Sequence, residues 1–121
     1  MSIPTLPPDL PTDCDLAKSY DLILDAVFGF SFKPPVRAPF DTLLPLLSRS
    51  QLPIVSVDIP SGWDVEKGPV EWTKSPVEEE KPEKLGVTYL QPDVLISLTA
   101  PKEGVRGFKG RHFLGGRFIN R

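Results

Sequence analysis

The apolar positions of this chain fall into short continuous runs separated by proline- and glycine-rich stretches. Tyr20 to Val27 (YDLILDAV) is dominated by Leu22, Ile23 and Leu24. An unbroken apolar run of that length suits a strand covered on both faces. Leu52 to Asp58 (LPIVSVD) carries β-branched Ile54, Val55 and Val57 and predicts a second strand. Pro92 to Leu98 (PDVLISL) predicts a third. Between the first two, Phe40, Leu43, Leu44 and Leu47 repeat at i, i+3, i+4 and i+7, which is one face of a helix over Pro39 to Ser48. Pro39 fits its first helical position, and Pro45 is expected to kink or end it. A last short strand is expected at Gly116 to Ile119, after a glycine-rich loop from Gly104.

Strands of the buried type joined by crossovers predict an α/β domain with a mostly parallel sheet. Three such strands and one helix make a narrow sheet whose faces one helix cannot cover. Before Tyr20, the lead over residues 1–19 is irregular, broken by Pro4, Pro7, Pro8 and Pro11. Residues 69–89 form a polar segment centred on EEEKPEK and read as a solvated surface loop.

Composition narrows the picture further. The chain has 15 prolines in 121 residues, against about 5% in ordinary proteins, so loop is abundant. A net charge of −2 gives no ground for nucleic-acid or membrane-surface binding. No apolar run reaches the ~18 residues of a membrane helix. The one cysteine, Cys14, suits a reducing compartment. With no targeting segment visible, the cytoplasm is the expected location.

Ligands of open parallel sheets bind beyond the carboxyl ends of the strands. Those ends carry Asp25, Asp58 and Thr99, on one expected rim. Asp25 is either a cation or substrate ligand or a turn cap accepting backbone N–H bonds. Asp58 is followed by Ile59-Pro60-Ser61-Gly62, where Ser61 adds oxygen donors of the kind hard cations take, or where the aspartate simply closes an Asx turn. Gly29, Phe30, Ser31, Phe32 and Lys33 form a loop whose aromatics either stack on a planar ring, with Lys33 on a phosphate, or pack inward. His112, the single histidine, has no zinc-ligand neighbours and reads as structural or surface. No GxGxxG or GxxxxGK[ST] string occurs.

Three segments, YDLILDAVFGFSFK, PIVSVDIPSGWDVEKG and LQPDVLISLTAPK, with the ending GRHFLGGRF, resemble the YjeF N-terminal domain of NAD(P)H-hydrate epimerases, the family of apolipoprotein A-I-binding protein. The resemblance runs over residues 20–119 outside the polar loop. It implies a Rossmann-like three-layer domain of which residues 20–121 are the C-terminal half, the N-terminal part with its NNGGDG phosphate loop being missing. It implies interconversion of the R and S forms of hydrated NADH and NADPH, impaired in a shortened chain, and one bound potassium ion. Asp25 and Ser61 would be metal ligands. Gly29, Phe30, Ser31, Phe32, Lys33 and Asp58 would contact the substrate, with Asp58 as acid/base and Lys33 as its electrostatic partner. The alternative is a non-catalytic protein-binding module of the apolipoprotein A-I-binding type. An exposed sheet edge would promote a homodimer or other self-association. The chain departs from the family pattern at Pro34-Pro35 and in the length of the 69–89 loop.

Overall fold

A computed structural model describes residues 15–70 and 88–116. They form a four-stranded parallel sheet in the order β1-β2-β3-β4, with β1 at Ile23–Asp25, β2 at Ile54–Val57, β3 at Val94–Leu98 and β4 at Arg111–Gly115. Strand order follows chain order, so every crossover returns to the adjacent position. The α/β parallel architecture expected from the buried-type runs is present.

β2, β3 and the helix differ from the sequence expectation by one or two residues at an end, and the first and last strands by more. β1 is shorter than Tyr20 to Val27, and Tyr20 and Leu22 are exposed. The last strand lies at Arg111–Gly115, not Gly116 to Ile119; Gly116 is outside it and residues 117–121 lie outside the described residues. Arg111, His112, Phe113 and Leu114 are all exposed and show no alternation of apolar and polar positions, and register on β3, from Val94↔Arg111 to Leu98↔Gly115, fixes the strand instead. Within the irregular lead, Leu16–Lys18 forms a 3₁₀ turn that buries Leu16; residues 1–14, and most of the 69–89 loop, lie outside the described residues.

Helix α1 runs from Phe40 to Arg49, with Pro39 as its N-cap. It passes through Pro45 without ending. The bond that Pro45 cannot make would go to the carbonyl of Asp41, an exposed first-turn residue where water can serve instead. Leu44 and Leu47 face the sheet as the spacing predicts, and Leu46 is buried as well.

Side chains alternate across a strand, so the pairing register sorts them onto two sides. Ile23, Asp25, Ile54, Ser56, Leu95 and Ser97 share one side. There α1 covers Ile23 and Ile54, while Ile59, Trp63 and Val105 cover Leu95. Leu24, Val57, Ile96, Leu98 and Phe113 share the other. The expectation that β1 is covered on both faces fails: Leu24 is 65% exposed and Phe113 56%. The one α-helix among the described residues, α1, packs on the opposite side.

The turn after β2 is closed by Gly62, whose φ is +90°. A Cβ there would stand 2.3 Å from the carbonyl oxygen of Thr88 and 2.5 Å from Cα of Tyr89. Gly62→Ala is therefore expected to lose about 1–3 kcal/mol from backbone strain alone, more once the clash is included, read as a fall in thermal midpoint. Next along the chain, Asp64 accepts N–H bonds from Lys67 (2.8 Å) and Glu66 (2.9 Å). These two donors, Lys67's first, hold its carboxyl below the ordinary value of 3.8. A lowered folded value means stabilisation present above pH 3.8 and lost as the pH falls through the folded value. A carboxyl-carbon NMR titration of Asp64 should give a midpoint below 3.8 in the folded chain.

Candidate functional site

The carboxyl ends of β1, β2 and β3 lie side by side because the strands are parallel and neighbouring. Asp25 closes β1, Asp58 follows β2 and Thr99 follows β3. The rim expected from the sequence is assembled as expected, and two pockets of polar contact occupy it.

The first is buried. Asp25 is 1% exposed, and Ser56 and Ser61 are wholly enclosed. Its Oδ2 accepts the Ser56 hydroxyl (2.7 Å) and the Ser61 amide (2.9 Å), and its Oδ1 accepts the Ser61 hydroxyl (2.5 Å). The Phe28 amide donates to Ser61 Oγ at 3.3 Å. Burial of a carboxylate is costly unless donors replace its water, and here hydroxyls and an amide do so. No basic side chain pairs with it among the described residues. Ser56 is a member of this pocket that no motif in the sequence marks. Its signal is a lone hydroxyl on the covered side of an otherwise apolar strand.

The second pocket opens to the surface. Asp58 Oδ2 accepts the Phe30 amide at 3.0 Å, and Oδ1 accepts the Lys102 ammonium. Asp58 as a residue is 8% exposed, and both charged side chains are mostly covered. The partner cation is thus Lys102, a correction to the expectation of Lys33, which is exposed and forms no ion pair among the described residues. Lys102 stands three residues beyond the rim residue Thr99. Only the backbone turn there brings its side chain back, and no composition rule reads such a turn.

The Gly29 to Lys33 loop lies across Asp58. At Gly29 an added Cβ would sit 3.4 Å from Asp58 Oδ2, in direct contact with the carboxylate. The two aromatics take different roles. Phe32 stacks on Phe28, ring centroids 4.3 Å apart, whereas Phe30 is 68% exposed beside the rim. Ser31 and Lys33 are exposed on the same loop.

His112 shares a 2.7 Å hydrogen bond with Ser97 and meets Phe108 edge-on, the structural part expected of it. A separate cleft, lined by Ser48, Gln51, Leu52, Pro53, Gln91 and Asp93, lies at the opposite, amino ends of β2 and β3. Sheet polarity favours the carboxyl rim over it.

The same rim can be set against known proteins. The family model described as YjeF-related protein N-terminus matches residues 1–104. The chain belongs to the YjeF-related N-terminal family. A Cryptococcus neoformans member named NAD(P)H-hydrate epimerase is 56% identical over 108 residues, covering 87% of this chain and 42% of the relative. A Paramecium tetraurelia protein of the same name is 51% identical over 105 residues, covering 87% of this chain and 38% of its own length. The crystal structure of a yeast protein superposes with a TM-score of 0.66 at 42% identity, over 87% of this chain and 39% of that one. The chain therefore spans about two fifths of the length of these relatives. The match to the yeast structure carries the Rossmann-like α/β reading of the sheet. No described helix is long and apolar enough to cross a membrane.

Proposed function

We propose that this rim is the nucleotide-facing part of an epimerase that interconverts the R and S forms of hydrated NADH and NADPH. The observation that carries the reading is Asp58: a nearly covered carboxylate at a sheet rim, braced by a cation and a loop amide, under a loop with one exposed aromatic. Its support from relatives is the shared name of the Cryptococcus and Paramecium proteins.

The two epimers differ at the ring carbon that bears the added hydroxyl. Inverting that carbon requires a bond to it to open and reform on the opposite face, with a proton taken up and returned. Asp58 is the acceptor and donor of that proton. Phe30 offers a planar apolar surface to the ring, and Lys33, exposed and without an ion pair among the described residues, offers its ammonium to a phosphate. Gly29, Ser31 and Phe32 shape the loop that holds both.

A potassium ion fits the donor chemistry of the buried pocket. Asp25 is an enclosed carboxyl group paired with no cationic side chain among the described residues, and its Oδ1 lies against the Ser61 hydroxyl. Asp25 and Ser61 would hold the ion, which would supply positive charge beside the rim. Self-association through a sheet edge, and residence in the cytoplasm or mitochondrion, belong to the same proposal.

The direct test starts from epimerically pure hydrated NADPH. Incubated with the chain, it should relax to a mixture of R and S forms, followed by chromatography. No acceleration over buffer overturns the reading.

A further inference from the structure

Two residues at the rim hold backbone angles that side chains rarely adopt. Asp58 has φ +72° and Thr99 has φ +69°. In each case the residue after donates its N–H to the residue before: Ile59 to Val57 at 3.0 Å, and Ala100 to Leu98 at 2.8 Å. These are three-residue turns with positive φ, a rare and strained class, and Thr99 is β-branched besides. They stand at the ends of adjacent strands, β2 and β3. Strain of about 1–3 kcal/mol per such residue persists only where surrounding contacts over-determine it.

Lys102 supplies those contacts. Its Nζ donates to the Leu98 carbonyl at 3.1 Å, to the Ala100 carbonyl at 3.2 Å and to Asp58 Oδ1. The two carbonyls flank Thr99, and the carboxylate belongs to the other turn. An ammonium has three N–H donors, and all of them are used within the protein. None remains for a substrate.

We infer that Lys102 is a positioning residue that ties the two strained strand-end turns together and so fixes the direction of the Asp58 carboxylate. The inference rests on the reading of Asp58 as the proton-transferring group. A fixed carboxylate is what such a transfer needs, since a misplacement of ~1 Å can cost on the order of a hundredfold in rate. Lys102 acts through Asp58 and does not touch the substrate. Its removal should therefore lower kcat and leave KM unchanged.

The test uses K102M and K102R in this chain, with D58N as reference. The Phe30 amide, which donates to Asp58 Oδ2, reports the carboxylate's position without any turnover. In K102M its hydrogen exchange should quicken by about tenfold or more, while amides within β2 stay protected. Turnover in K102M should fall by about 10–100-fold in kcat at constant KM. K102R restores charge and donors and should recover most of both; if K102M does not fold, Lys102→Gln carries the same comparison. Unchanged Phe30 exchange in K102M, or a raised KM with kcat intact, overturns the inference. If D58N remains active, the reading of Asp58 falls instead, and the Phe30 amide alone still decides whether Lys102 holds that side chain.

Discussion

Asp58→Asn is expected to slow epimerisation by about 10²–10⁴-fold, the usual contribution of a positioned acid or base. The substitution keeps the size and planarity of the side chain. Its remaining oxygen can still accept the Phe30 amide, which now donates at 3.0 Å. What disappears is a group able to take up a proton at the rim. Lys102 keeps its two carbonyl acceptors, Leu98 and Ala100, so the β3 turn should survive. The lost charged hydrogen bond should cost about 1.5–3 kcal/mol of stability. Rate and thermal midpoint measured on one preparation separate the two effects. Activity within tenfold of the parent would remove Asp58 from the chemistry.

Asp25→Ala should damage the fold more than any other single change at the rim. Truncation leaves the hydroxyls of Ser56 and Ser61 and the amide of Ser61 without their acceptor, in a place closed to water. Each buried orphan costs about 1–3 kcal/mol. The hydroxyls can rotate toward other acceptors, but the amide cannot, so the loss should come to about 3 kcal/mol or more. A typical domain has only about 5–15 kcal/mol in all. Chemical denaturation should show a midpoint far below that of the parent, with Asp25→Asn in between because one oxygen is kept. A variant that melts within a few degrees of the parent would show that the three donors have other partners.

The residues legible in the sequence are those whose role is written in local pattern. The cores of β1, β2 and β3 and the span of α1 follow from apolar runs and from the i, i+3, i+4, i+7 spacing. The aspartates at strand ends follow from the polarity of a parallel sheet; the turn Ile59-Pro60-Ser61-Gly62 sets Ser61 next to Asp58, and only the family resemblance pairs Ser61 with Asp25, the residue it bonds in the fold. β4 was displaced by a few residues because Arg111 to Leu114 are exposed and owe their conformation to pairing with β3. Lys102 was missed because its approach to Asp58 depends on a positive φ at Thr99, an angle that no threonine advertises. Phe30 and Phe32 could not be told apart, since alternation in an irregular loop has no fixed period. In each of these places long-range contact, and not local preference, decides conformation.

One side of the sheet meets water through Leu24, Leu98 and Phe113. Any body that seats there recognises the folded chain and ignores the unfolded one. Mass action then adds its binding free energy to that of folding. The melting temperature of this chain would accordingly rise with the concentration of any such companion.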